Sequence, residues 1–189
     1  MSSEPFTLAV PVDRTDHVVG PQDARVVIVE YGDFECPNCA QAYPAVKLLL
    51  QHFRHDVRFA FRHFPLTEVH PHAERAAEAA EAAAAQHKFW PMHDLLFDHE
   101  MHLDDSALRH YADQLGLDLR RFDAELDDQI YRQRINEHVE GARRSGVRGT
   151  PTFFVDAALV DVSFGLDRLF KAVQARLTWG HTSLGKELP

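Results

Sequence analysis

The sequence predicts an α/β fold in which a β-α-β half and a β-β-α half are separated by an inserted block of helices. Three observations lead there. Two runs rich in β-branched and aromatic residues, RVVIVEYGDF (25–34) and DVRFAFRHF (56–64), flank a helical pattern. Strand signals then vanish from Pro71 to about Ser145 and return at TPTFFV (150–155). A final amphipathic stretch places Leu166, Leu169, Phe170, Val173 and Leu177 on one helical face. The expected partition is a discontinuous domain, residues 1–64 with 147–189, interrupted by a helical domain, 65–146.

Taken in order, FTLAVP (6–11) reads as a short edge strand, and 12–24 as a polar connection punctuated by Gly20-Pro21. Residues 25–34 open on consecutive β-branched residues and read as a buried strand. A helix follows from Cys36 to about Phe53, with Ala40, Tyr43, Val46 or Lys47, and Leu50 at near-helical spacing. Pro44 lies inside it and removes one backbone hydrogen bond, which bends the helix. Val57, Phe59 and Phe61 alternate in the second strand, and the short connections suggest a parallel pair joined by a crossover helix.

The middle of the chain is helical throughout. HAERAAEAAEAAAAQ (72–86) is a strong helix former whose charged residues fall mostly off a small-residue face. FWPMHDLLFDH (89–99) reads as a helix broken near Pro91. DDSALRHYADQLGL (104–117) starts on capping acids and stops at Gly116. Residues 118–146 form one or two more helices. Then TPTFFV and AALVDV (157–162) can pair as a hairpin, and 165–177 make the last helix. The tail, 178–189, has no periodicity, and Trp179 is its one candidate for docking.

Composition narrows the function classes. Hydrophobic residues are 45% and charged residues 26%, ordinary globular values that permit a core without covalent staples. With 29 acids against 20 bases the net charge is −9, which argues against a nucleic-acid partner. No apolar run reaches membrane-spanning length. The amino terminus carries Glu4 rather than a basic leader, and its apolar run is broken by Pro11, so a cytoplasmic location is expected. Two cysteines do not make a disulfide scaffold.

Both cysteines stand in ECPNCA (35–40), where the first strand meets the first helix. The first amides of a helix are unpaired and its dipole is positive there, so a thiolate at Cys36 is stabilised and nucleophilic. Pro37 suits the first helical position, because its missing N–H is one the helix does not use. Cys39 lies one turn further in, placed to close a disulfide back to Cys36 and resolve a mixed disulfide. A structural disulfide across so short a loop constrains the unfolded chain little. A zinc site needs two further ligands. No second C-x-x-C exists, but the 13 histidines, VHPHA (69–73) among them, could supply them.

Two further positions carry chemistry. Glu30 stands six residues before Cys36 in an apolar strand. If buried, it holds its proton and can exchange one with Cys39; alternation alone leaves its face undecided. Pro151 forces Thr150 into extended geometry at the start of the returning strand; cis is a minority state for X-Pro bonds, so the residues alone favour a trans bond here.

VEYGDFECPNC, FRHFPL, HPHAERAAEAAEAA, KFWPMHDLLF and SGVRGTPTFFV, in that order, resemble the DsbA-like branch of the thioredoxin superfamily, and more narrowly its bacterial cytoplasmic-type members. The resemblance runs from about residue 17 to about 177. It implies a thioredoxin fold with an inserted helical domain and a thiol-disulfide oxidoreductase acting on protein disulfides or dithiols, and on glutathione or another small thiol. The cysteine pair is then the redox centre and no organic cofactor is needed. It further implies Cys36 as attacking thiol, Cys39 as resolving thiol, Glu30 as the buried acid, and Pro151, with Thr150 beside it, as a cis-proline loop that pairs with an extended substrate. Pro37 and Asn38 complete the substrate-facing surface.

The sequence departs from the strongly oxidising periplasmic members, which carry Pro-His between the cysteines. Here the pair is Pro37-Asn38, and Asn carries no charge, so a less oxidising couple is expected. His63, His70 and His72 either border the groove or pack at a helix entry. Two other readings stay in view. One is a thiophilic metal-binding module, a metallochaperone or sensor, using Cys36, Cys39 and a histidine. The other is a glutathione-dependent enzyme on the kappa-type scaffold, against which the intact C-P-N-C counts. No Ser-His-Asp set, phosphate loop or dinucleotide fingerprint competes.

Overall fold

The computed structural model describes residues 6–182. The elements run β1 (His17–Val19), β2 (Val26–Gly32), α1 (Pro37–His52), β3 (Val57–His63), then five helices: α2 (Ala73–Ala84), α3 (Phe89–Asp98), α4 (Asp105–Gln114), α5 (Leu119–Asp127) and α6 (Arg132–Arg144). A hairpin, β4 (Thr152–Val155) and β5 (Ala158–Val160), and α7 (Asp167–Thr182) follow. The strands form one sheet in the order β1-β3-β2-β4-β5. Among the described strands only β2 and β3 pair in parallel, with Ile28 opposite Phe59 and Glu30 opposite Phe61. The architecture is α/β, with the helical block entering between β3 and β4.

The pleat sorts the strand residues onto two apolar faces. Val26, Ile28, Phe59, Phe61 and Phe153 join α1, α3 and α7 in one large cluster. That cluster runs on without a break into Ala76, Ala80 and Ala83 of α2, Leu108 of α4 and Phe122 of α5. Alanine lets these helices approach closely, which explains an Ala/Glu pattern that looks low in complexity. Val29, Tyr31, Ala60 and Phe154 point the other way, under Ala142 and Val139 of α6. Because β2 is covered on both faces, it reads as a near-continuous apolar run rather than an alternating one.

Three expectations need correction. Residues 6–11 are not a strand: Thr7 makes a single bridge to Ala158, and the edge strand is β1, inside the stretch read as a polar connection. The reason is Arg62. Its buried guanidinium donates to Asp16 (2.7 and 2.9 Å), to the Val10 and Pro11 carbonyls (2.8 and 3.0 Å) and to the Tyr31 hydroxyl (3.1 Å), which spends the backbone of 10–11 on a side chain. Pro91 does not break its helix. It falls in the first turn of α3, where the missing N–H has no intrahelical partner to lose. The last helix passes residue 177 to Thr182, so Trp179, read above as part of an aperiodic tail, belongs to α7. Residues 183–189 of that tail, and Glu4 at the other end, lie outside the described residues.

The connection from β1 to β2 turns at Gly20, at φ +99°, where a Cβ would stand 2.2 Å from the Val57 carbonyl oxygen. Only glycine tolerates both the backbone angle and that approach. At the other edge, Asp156 and Ala157 both have positive φ, 46° and 68°, the signature of a tight two-residue hairpin turn.

Candidate active site

The site is built on the amino terminus of α1. Cys36 is the N-cap, with extended backbone (φ −80°, ψ 118°), and Pro37 opens the helix. The first turn holds no acidic residue and no side chain caps it, so the positive end of the helix is left facing the Cys36 sulfur. Pro44 lies inside the same helix.

Two parts of the chain meet at the Cys36 sulfur. The thiol donates to the Thr150 carbonyl across 3.5 Å, from a loop in which the Thr150–Pro151 peptide bond is cis. The Thr152 hydroxyl donates to the Gly149 carbonyl at 2.7 Å and ties that loop to β4. The Thr150 hydroxyl is buried with no hydrogen-bond partner among the described residues. It is therefore free to donate to Cys36 once the sulfur ionises. The Cys36 thiol is lowered to about 5: donation from the Cys39 thiol is the largest cause, burial opposes it, and the Thr150 hydroxyl and the Cys39 and Asn38 amides add to the lowering.

Cys39 is fully buried and shifts the other way. Burial raises it most, and its hydrogen bond to Cys36 and the charge of Glu30 add to this. The two thiols are free. One sulfur is thus held ready to ionise while its neighbour three residues on holds its proton.

Glu30 lies on the α1 side of β2, 3% exposed, and burial alone raises its carboxyl to about 8. It lines a cavity of about 220 Å³ with Tyr43, Lys47, Trp90, His93 and Asp94. There the Lys47 ammonium donates to the Tyr43 hydroxyl (2.8 Å) and to Asp94 (3.1 Å). Pro37 and Asn38 are exposed. Asn38 shares a groove of about 580 Å³ with Gln41, Thr150, Pro151, Ser163 and Leu166.

The three flagged histidines part company. His63 is buried on β3 and bonds Glu81 at 2.9 Å, in a cluster with His17 and Arg134. His72 is exposed, and its amide donates to Glu35. His70 alone is fastened beside Cys36, through Asp33. Sequence reasoning missed Asp33, which is 2% exposed and holds His70, the Glu35 amide and the Leu66 amide. The available signal was an acid directly after a buried strand and three residues before the first cysteine. Among the described residues no group of three or more His, Cys, Asp or Glu side chains is placed to hold a metal ion.

The chain has recognisable relatives. A thioredoxin family model matches residues 13–175. A Na(+)/H(+) antiporter NhaA 1 of Salinispora arenicola (strain CNS-205) is 53% identical over 167 residues, 88% of this chain and 26% of that protein. The chain thus spans about a quarter of the length of the curated relatives it matches. No described helix is long and apolar enough to cross a membrane. Among solved structures, oxidised BdbD from Bacillus subtilis superposes with a TM-score of 0.82 at 20% identity, covering 93% of this chain and all of that one. The thiol-disulfide exchange protein alpha-DsbA2 from Wolbachia pipientis gives 0.73 at 22% identity, covering 86% and 88%. These two likenesses concern the fold.

Proposed function

Because the chain belongs to the thioredoxin family over residues 13–175, and its fold is that of DsbA-like proteins, we propose that it is a thiol-disulfide oxidoreductase whose C-P-N-C dithiol exchanges disulfides with protein substrates. The observation that carries this reading is the opposed pair: Cys36 lowered to about 5 at a helix amino terminus, and Cys39 raised behind it.

The steps follow from those two states. The Cys36 thiolate attacks one sulfur of a substrate disulfide, forming a mixed disulfide and releasing the other substrate sulfur as a thiolate. Glu30, which burial keeps protonated up to about pH 8, first releases its proton to solvent; its carboxylate then takes the Cys39 proton, and the Cys39 thiolate attacks the Cys36 sulfur. The second substrate thiolate leaves, the enzyme is oxidised to its Cys36–Cys39 disulfide, and the substrate has gained two electrons. Run backwards, the same steps oxidise a substrate dithiol. The groove formed by Asn38, Gln41, Thr150, Pro151, Ser163 and Leu166 suits an extended peptide laid beside the Thr150–Pro151 loop.

The test is an insulin-reduction assay paired with trapping. Cys36→Ser is expected to abolish exchange, and Cys39→Ser to accumulate mixed disulfides stable to gel analysis without reductant. Full activity in Cys36→Ser overturns the reading. Stoichiometric zinc or copper that blocks thiol labelling, in protein purified without chelator, turns it toward metal binding.

A further inference from the structure

Two acids shortly precede the attacking thiol in the chain, Asp33 by three residues and Glu35 by one, and either charge opposes a thiolate at Cys36. Asp33 is committed to this corner in three ways. Its carboxylate accepts from the Glu35 amide (2.8 Å) and the Leu66 amide (2.8 Å), and its carbonyl accepts from the Cys36 amide (3.2 Å). Glu35 in turn accepts from the His72 amide at 2.6 Å. The stretch 66–72 is thereby stitched onto the loop that presents Cys36.

Between these clasps lies His70. Its Nδ1 stands 2.7 Å from Asp33 Oδ2, at the second carboxylate oxygen that also serves Leu66. The bond fixes the ring orientation and leaves Nε2 as the free nitrogen. Burial by itself lowers His70, but Asp33 outweighs it, and Cys36 and Glu35 add to the net rise. The charged and titratable groups facing His70 are thus Asp33, Cys36 and Glu35.

We propose that His70 is a positioning residue for the redox pair: clamped by Asp33, its imidazolium neutralises the two acids that precede Cys36 and supplies the positive charge that the Pro37-Asn38 dipeptide lacks. The inference rests on the dithiol reading above and adds a component that lies 34 residues beyond Cys36 in the chain. His70 touches no substrate sulfur in this scheme; it acts through the field at Cys36.

The experiment compares the unaltered protein with His70→Asn and His70→Lys. It measures the Cys36 titration from thiolate absorbance and the Cys36/Cys39 equilibrium with glutathione buffers. Removing one nearby charge is expected to raise the thiol midpoint by about half a unit. The reduced form should then be disfavoured about threefold, or about 14 mV at two electrons. His70→Lys, which keeps the charge, should restore both values. The difference between parent and His70→Asn should close at alkaline pH, above the raised His70 titration, where the parent ring is also neutral. If His70→Asn does not fold, His70→Gln and His70→Lys carry the same comparison. Unchanged titration and equilibrium in a folded neutral variant overturn the proposal while the dithiol reading stands. A shift that His70→Lys fails to restore overturns it too, since packing rather than charge is then responsible. No measurable couple in the unaltered protein overturns the dithiol reading and this proposal with it.

Discussion

The Cys36 sulfur lies 3.5 Å from the carbonyl oxygen of Thr150, a residue 114 positions further along the chain. That contact brings the amino terminus of α1 and the loop before β4 together into one site. Both are anchored to β2, the strand that leads into Cys36 and pairs with β4 from Ile28 to Tyr31.

Thr150→Val leaves that carbonyl in place and tests the buried hydroxyl of the same residue. Valine keeps the β-branched shape but has no donor for the thiolate. The Cys36 titration should move up by about one unit, the worth of a hydrogen bond to a charged group. Alkylation rate against pH reads it directly. An unmoved midpoint means the helix amides and Cys39 suffice.

Glu30 predicts a pH dependence of stability. Its carboxyl is raised from its ordinary 4.5 to about 8 in the fold. The folded state therefore holds this proton while the unfolded chain loses it. Stability from this group is complete below pH ~4.5, declines as pH rises, and is lost through pH ~8. The full span is up to roughly 4–5 kcal/mol at 1.36 kcal/mol per unit. Glu30→Gln should remove one proton's worth of slope from urea unfolding across that window. It should also slow resolution of the mixed disulfide by Cys39. A slope equal to the parent's means that Glu30 does not titrate there.

Arg62→Ala should destabilise by about 3–5 kcal/mol, because it strands the buried Asp16 carboxylate and releases the Val10 and Pro11 carbonyls. Denaturant midpoints measure this. A loss under about 1 kcal/mol would show the pair to be solvated.

Gly20→Ala should lose at least about 2 kcal/mol, from the φ of +99° and the encounter with the Val57 carbonyl. Gly116, also at positive φ (70°) but with open space around its Cβ position, is the control: Gly116→Ala should cost about 1 kcal/mol, from backbone strain alone. Thermal melting of both variants separates the steric part from the backbone part.

Much of this protein is legible in one dimension. The periodic stretches identify β2, α1, β3, the helical block and the closing β-β-α unit, since burial on one face or two leaves its period in the residues themselves. The C-P-N-C run at a strand-helix junction is what points to Cys36 as the proposed nucleophile, because a helix amino terminus acts on whatever sulfur stands there. The errors fall where a distant side chain overrides local pattern. Arg62 draws 10–16 across the sheet and leaves β1 as the edge. Pro91 looks like a breaker until its place in the first turn is known.

The sequence by itself determined the order of elements, the two thiols and their neighbours in the chain, all properties of local spacing. Only the tertiary structure decided which face Glu30 takes, which histidine of three lies beside Cys36, and which carbonyl meets its sulfur. Those outcomes rest on contacts between residues tens of positions apart, whose electrostatic effect depends on distance and burial, and neither quantity is written in the order of residues.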